Sequence, residues 1–93
     1  MSVAEEIRAT LVRDLQATIV EIENESQFHK GHRDTDSMDS HFSIMVVSAQ
    51  FQNQNLVARH RNVNHCLRDF FDRGLHALKI KALTPQEYNL RAV

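Results

Sequence analysis

The 93-residue sequence is poor in several residue types, with one Cys, one Pro, two Gly and no Trp. A single Cys excludes an internal disulfide and a zinc site built on several thiolates. So few Gly and Pro residues exclude collagen-like and low-complexity chains. No apolar run approaches the roughly 18 residues of a membrane span, and no apolar signal core follows the N-terminus. We therefore expect one soluble domain, cytoplasmic or, after removal of a transit peptide, in an organelle.

Charge of either sign is not in excess, because eleven Lys and Arg and twelve Asp and Glu leave a formal net charge of -1. A protein that binds nucleic acid by charge alone should be clearly basic. The sequence is instead rich in His, with six residues, and His is both the residue that titrates near neutral pH and the commonest metal ligand. Bases are concentrated in the second half of the chain, at Arg59, Arg61, Arg68, Arg73, Lys79 and Lys81.

The first 24 residues predict a helix followed by a strand. A capping box at residues 2–5 precedes apolar residues that recur every three to four positions, which predicts an amphipathic helix over residues 2–15. Residues 18–24 alternate between apolar and polar, with Val20 and Ile22 on one side, as in a half-buried strand.

Residues 25–40 are polar and show neither a helical nor a strand period. Loops beyond about 12 to 15 residues are uncommon in compact domains and are usually functional or disordered. His29 and His32 lie here with the spacing H-x-x-H, which is weak support for a metal site because two more ligands would be needed. A strand over residues 42–47, apolar on both sides as at the centre of a sheet, follows His41.

After a polar turn at residues 50–55, a long helix is predicted over residues 55–73, with Gly74 as its stop. His60 falls on the apolar face and is expected to be a core-edge side chain held by a hydrogen bond, whereas His65 is expected to be solvated. The apolar face is predicted to contain Leu56, Val63, Leu67, Phe70 and Phe71, bordered by Val57 and Cys66.

The last part of the chain predicts a strand over residues 75–83 and a short helix that begins after Thr84 and runs nearly to Val93. The order is therefore α-β-β-α-β-α, an α+β chain. A right-handed crossover through the long helix would make the second and third strands parallel, in a three-stranded mixed sheet with helices mainly on one face. In the third strand one face is predicted to hold His76, Leu78, Ile80 and Ala82, and the other Lys79 and Lys81.

Two residues could carry chemistry on their own. A polar ring such as His76 on an apolar strand face should be hydrogen-bonded or functional, and the residues alone favour a hydrogen-bonded His. Cys66 is expected to be a small buried hydrophobe, since the adjacent His65 cannot meet it on a helix. A thiol reductase would need an exposed Cys66 with a low pKa, and the chain is predicted not to be an enzyme.

Several short motifs occur in one order along the chain and together resemble the BolA-like family. The resemblance extends from about Ile7 to Tyr88, and it implies a single BolA-like domain over residues 1–93 with a class II KH-like fold. That fold agrees with the order of elements predicted above. The motifs are Asn24-Glu25-Ser26, Asp39-Ser40-His41-Phe42, Arg59-His60-Arg61, Gly74-Leu75-His76-Ala77-Leu78, and Thr84-Pro85 with Glu87.

The resemblance also implies a partner and a cluster. BolA-like proteins bind monothiol glutaredoxins of the CGFS type and share with them a glutathione-ligated 2Fe–2S cluster, in iron–sulfur cluster assembly or iron homeostasis. One ligand is the His of the GxHAL motif, which matches His76. The second comes from the loop between the first two strands and matches His29, as in the His-type subgroup, with His32 and His41 as alternatives. No cofactor is then expected in the isolated protein, a monomer or weak homodimer.

A second function is open, because some bacterial members of the family resemble DNA-binding transcription regulators. In that case the helix around Arg59-His60-Arg61 and the following strand would contact DNA, and the affinity should collapse as salt rises. The predicted contacts are Arg59, Arg61, Arg68, Lys79 and Lys81.

Overall fold

The computed structural model describes residues 2–25 and 41–91, and it confirms an α+β fold with a three-stranded mixed sheet. The helices in these ranges are α1 (Val3–Leu15), α2 (Leu56–Cys66), α3 (Arg68–Asp72) and α4 (Pro85–Arg91), and a 3-10 turn spans Ala49–Phe51. The strands are β1 (Ile19–Asn24), β2 (His41–Val47) and β3 (Ala77–Leu83).

Helix α1 forms as its sequence predicts. The hydroxyl of Ser2 accepts a hydrogen bond from the amide of Glu5, which satisfies one of the donors left open at a helix start. Apolar residues four positions apart, Ile7, Leu11 and Leu15, are all buried on one stripe. The helix ends at Gln16, whose left-handed backbone (φ 53°) turns the chain toward β1.

The strands lie in the order β1-β2-β3, with β1 antiparallel to β2 and β2 parallel to β3. Phe42, Ile44 and Val46 point to the face that α1, α2 and α3 cover, which we call the core face. The opposite side is the outer face, where Met45 and Val47 are also buried. Arg91 of α4 donates a hydrogen bond to the sulfur of Met45, so the last helix contributes to that cover.

One continuous core holds the elements together. Burying a large apolar side chain stabilises a fold by about 1.5 to 3 kcal/mol, so the fully buried side chains dominate the energetics. They come from α1, β2, the 3-10 turn, α2 and the junction between α2 and α3. The largest are Phe42, Phe51, Ile7, Leu11, Leu67, Val46, Val47 and Val63.

The helix predicted over residues 55–73 is wrong as a single element, because it breaks at Leu67 into α2 and α3. Leu67 leaves helical geometry (φ -102°, ψ 14°), which separates the two helices, while Leu67 and Phe70 both remain buried as the apolar stripe predicted. Leu56 was expected on the apolar face and Val57 at its border, but they are 64% and 58% exposed, because the buried positions of α2 are Arg59 and Val63. Phe71 was also expected on the apolar face and is 37% exposed, because the buried residue of α3 is Phe70.

The sequence predicted a polar turn before α2, but the turn also contributes to the core, because Phe51 is fully buried within it. The 3-10 geometry is fixed by Ser48, which donates to the carbonyl of Leu15 at 2.6 Å and accepts from the amide of Gln50. At the other end of the chain α4 stops at Arg91, and residues 92–93 lie outside the described ranges. No helix in the described ranges is long and apolar enough to cross a membrane.

Candidate functional site at the histidine end of the sheet

The last residues of β1 and the first residues of β2 and β3 meet at one end of the sheet. Because β1 runs antiparallel to β2 and β3 runs parallel to it, the last residues of β1 lie beside the first residues of β2 and β3. His41 is in register with Ala77, and the amide of Glu25 donates to the carbonyl of His41 at 2.8 Å. We call the group Glu25, His41, His76 and Lys79 the histidine end.

The structure brings His76 and His41 together, with ring centroids 5.8 Å apart and ring planes inclined by 49°. His76 is exposed and His41 is half-buried. The sequence placed His76 on the apolar face of the third strand, but β3 begins at Ala77 and the ring of His76, which directly precedes it, is exposed. An exposed imidazole beside a second one is free to meet a ligand or a partner.

The position of His76 is determined by the two residues before it. Gly74 adopts φ +115°, a backbone conformation that residues with side chains rarely reach. Leu75 is then buried, and its amide donates to the carbonyl of Phe70 at 2.9 Å. The motif Gly-Leu-His thus turns the chain, anchors it in the core and presents the third residue outside.

Residues 26–40 connect Glu25 to His41, so the chain leaves and re-enters the described fold at the histidine end. The predicted ligands His29 and His32 are in this segment and lie outside the described residues. The only charge pair described at this end joins Lys79 Nζ to Glu25 Oε1 at 3.3 Å. The Lys79 side chain is 77% exposed, so solvent and salt weaken the ion pair. The pair therefore does little to hold the charges at this end in place.

The described residues at the histidine end offer too few metal-ligating atoms to hold an iron–sulfur cluster by themselves. In residues 2–25 and 41–91, no group of three or more His, Cys, Asp or Glu side chains could hold a metal ion. His41 and His76 could supply two imidazole nitrogens to iron, which commonly takes four ligands in a cluster. A 2Fe–2S cluster therefore fits these two residues only when its remaining ligands come from outside the described ranges or from other molecules.

The other predicted candidates lie on the helices. Cys66 is half-buried, and burial raises the pKa of its thiol, which is the opposite of what a thiol reductase requires. His65 is exposed, as predicted. His60 is half-buried at the core edge, but the expected hydrogen bond of its ring is not found within the described part of the chain.

Arg59 is the functional candidate that the structure contradicts. Its side chain is 9% exposed, and all of its hydrogen bonds are internal. Nε donates to the carbonyl of Gln54 at 2.9 Å, and Nη1 donates to the carbonyl of Ala82 at 3.1 Å. The two terminal nitrogens donate to the carboxylate of Glu87 at 2.6 and 3.3 Å. Because the guanidinium is buried and donates to acceptors within the protein, it is not accessible to a DNA phosphate, and Arg59 is a structural residue.

Glu87 connects Arg59 to the start of α4. Its Oε1 accepts from the amide of Thr84 at 2.9 Å, while the hydroxyl of Thr84 accepts from the amide of Glu87, which is the predicted capping box. The hydrogen bond from Arg59 and then that from the Thr84 amide hold the pKa of Glu87 below its usual range. The sequence indicated the capping box, but no local signal pointed to its partner in α2.

The remaining predicted DNA contacts fall on two surfaces. Arg61 and Arg68 are exposed on the helices that cover the core face, and Arg68 donates to the carbonyl of His65. Lys79 and Lys81 are exposed on the outer face of β3. The sheet therefore separates the arginines from the lysines, and one flat surface does not contain all four.

Comparison with known proteins decides the family. The sequence model of the family described as "BolA-like protein" matches residues 11–87. The chain belongs to the BolA-like family. It is 42% identical over 88 residues to the protein BOLA1, chloroplastic, of Arabidopsis thaliana, and the match covers 90% of this chain and 54% of that protein. The BolA-like chain thus spans about half the length of that relative.

A bacterial relative and a solved structure complete the comparison. The DNA-binding transcriptional regulator BolA of Haemophilus influenzae is 33% identical over 88 residues, which cover 95% of this BolA-like chain and 82% of that protein. The structure of BolA1 from Arabidopsis thaliana is similar with a TM-score of 0.84 and 39% identity, and it covers 94% of this chain and 96% of that one. These relatives are named for the family or for regulation, and neither name describes an enzymatic reaction.

Proposed function

We propose that this BolA-like chain is a non-enzymatic partner of a monothiol glutaredoxin, with which it shares a glutathione-ligated 2Fe–2S cluster. The observation that carries the proposal is the exposed ring of His76, whose centroid lies 5.8 Å from that of the His41 ring at the histidine end of the sheet. The lone Cys66 is half-buried on a helix, so this chain would offer imidazoles only. The thiolates would come from the glutaredoxin and from glutathione.

His76 would be one ligand, and the second would come from the same end of the sheet. The family resemblance points to His29 as the second ligand, with His32 as a further candidate in the same segment. The contact between the His41 and His76 rings supports His41 as the alternative. A variant of each residue distinguishes these assignments.

Imidazole ligation would affect what the cluster can be used for. Two imidazoles in place of two thiolates raise the reduction potential of a 2Fe–2S cluster. Protons compete with metal for imidazole near neutral pH, so a site with two histidines should release its cluster more readily on mild acidification. We infer a role in cluster trafficking or in iron and redox sensing, in the cytoplasm or in an organelle.

A second candidate function is DNA-binding regulation, which the name of the Haemophilus influenzae relative favours. With Arg59 internal, the contacts would have to come from Arg61 and Arg68 or from Lys79 and Lys81. The formal net charge of -1 makes this the weaker proposal. Affinity for a DNA duplex that falls steeply between low and physiological salt would support it.

Anaerobic mixing of the purified chain with a monothiol glutaredoxin, glutathione, ferric iron and sulfide tests the main proposal. The expected product is a coloured heterodimer on size exclusion, with a visible circular dichroism spectrum that differs from that of the glutaredoxin alone. If no heterodimer elutes under any loading condition, the proposal is wrong and the DNA titration becomes the next measurement.

A further inference from the structure

Strand β3 is at the edge of the sheet within the described ranges, because the order is β1-β2-β3. The carbonyl of Leu83 accepts from the amide of Ser48, on the side of β2. Since successive backbone groups of a strand point to opposite sides, those of Leu78 and Ile80 point away from β2. Arg59 donates to the carbonyl of Ala82 at the end of this edge, and residues 77–81 have no backbone partner on this side in the described ranges.

The side chains along this open edge differ between the two faces of the sheet. Lys79 and Lys81 are exposed on the outer face, and Leu78 and Ile80 are half-buried at the margin of the core. Lys79 makes the exposed ion pair with Glu25, while Lys81 has no ion-pair partner in the described part of the chain. The edge therefore combines two exposed lysines with an apolar row.

A second copy of β3 is a poor occupant of this edge. An antiparallel pair of two β3 strands centred on Ile80 would place Lys79 of each copy opposite Lys81 of the other. Like charges directly opposite each other destabilise a strand pair, and lysines on edge strands are a common means of preventing such self-association. The same lysines would instead attract a strand that carries acidic residues with the same spacing of two.

We propose that the β3 edge binds an extended segment of a partner protein in which acidic and aliphatic residues alternate. Backbone hydrogen bonds to Leu78 and Ile80 would provide affinity, and the side chains would provide selectivity. The acidic residues would lie opposite Lys79 and Lys81, and the aliphatic residues would extend the row of Leu78 and Ile80. The inference stands on the edge itself and does not depend on a cluster.

The test uses a capped peptide with the required alternation, and this chain provides one in its own sequence at residues 18–24, Thr-Ile-Val-Glu-Ile-Glu-Asn. Nitrogen-15 NMR of the full chain is followed during titration with this peptide and with a control in which both Glu are Lys. We expect saturable shifts of the amides of residues 77–82 and slower hydrogen exchange at Leu78 and Ile80 with the acidic peptide. The lysine peptide should bind about tenfold more weakly.

A charge-reversed protein provides the second arm. Lys79→Glu with Lys81→Glu should prefer the lysine peptide, whereas Arg61→Glu with Arg68→Glu, the same change of charge on another surface, should retain the original preference. If the first variant does not fold, the two peptides on the natural chain still decide the question. Equal affinity for both peptides, or shifts that map away from β3, would overturn the proposal.

Two other occupants would also overturn it. Concentration-dependent shifts of β3 amides in the absence of peptide would show that the edge pairs with a second copy. Shifts of the same amides with a short DNA duplex, and none with the acidic peptide, would assign Lys79 and Lys81 to nucleic acid.

Discussion

Arg59 and Glu87, 28 positions apart, are joined by two hydrogen bonds, and the same guanidinium also donates to the carbonyl of Ala82. This one buried side chain connects α2 to β3 and α4. In the motif Arg59-His60-Arg61, the first arginine is therefore buried and structural, whereas the last arginine is exposed. The chemistry assigned to this motif must rest on Arg61 and not on Arg59.

Replacing Arg59 by Met should destabilise the fold strongly. The variant would leave the carbonyls of Ala82 and Gln54 without their donor and Glu87 without its partner, which we expect to lower the free energy of unfolding by about 3 kcal/mol. The matched control Arg61→Met, on the exposed side of α2, should change it by no more than about 0.5 kcal/mol. Urea denaturation followed by circular dichroism measures both, and equal midpoints would show that the Arg59 network contributes nothing.

The Glu87 carboxylate should make stability depend on pH. Because its pKa is lower in the folded chain than in the unfolded one, it stabilises the fold above the ordinary carboxyl value of about 4.3, and that contribution is lost as the pH falls through the folded value. The difference in unfolding free energy between the natural chain and Glu87→Gln should therefore be largest near neutral pH and shrink on acidification. In an Arg59→Met background the pH dependence of this difference should be clearly smaller, with the part due to the Thr84 amide retained, and an unchanged pH dependence there would show that Arg59 does not cause the shift.

Gly74 should be required for its backbone and not for its small size. A Cβ at this position would meet no atom within 4 Å, yet φ is +115°. We expect Gly74→Ala to lower the free energy of unfolding by about 1 to 2 kcal/mol through backbone strain alone. If the variant unfolds at the same urea concentration as the natural chain, the turn that presents His76 is not constrained as described.

Much of the fold follows from local pattern. Helix α1 and the three strands have periods that the sequence shows directly, and the parallel pairing of β2 and β3 follows from the handedness of the crossover. The approach of His41 to His76 could have been inferred from the same rule, since β2 begins at His41, β3 begins directly after His76, and parallel strands start at one end of the sheet.

Other features depend on contacts that are distant in sequence. The burial of Arg59 requires acceptors from the turn before α2, from β3 and from α4, and no local pattern reports them. The break at Leu67 is similar, because a continuous apolar stripe fits one long helix as well as two short ones. Leu56 continues that stripe in sequence, and local pattern does not report that it is exposed in the fold.

The thiol of Cys66 should react slowly with alkylating reagents. Burial raises the pKa of its thiol and limits access, so we expect alkylation by iodoacetamide at about pH 8 to proceed several-fold more slowly than that of glutathione. Cys66→Ala should assemble the mixed cluster with the glutaredoxin like the natural chain. Rapid alkylation of the folded protein, together with loss of cluster assembly in Cys66→Ala, would contradict the proposal that only imidazoles are offered.

The most direct measurement is the visible circular dichroism of the reconstituted heterodimer for His76→Ala and for the three candidate second ligands, His29→Ala, His32→Ala and His41→Ala, with His65→Ala as the exposed control on α2. Each variant is first shown to be folded by its far-ultraviolet spectrum. We predict that His76→Ala abolishes the mixed-cluster spectrum, that one of the three second-ligand variants also changes it, and that His65→Ala leaves it intact. A spectrum unchanged by His76→Ala would contradict the assignment of His76 as an iron ligand.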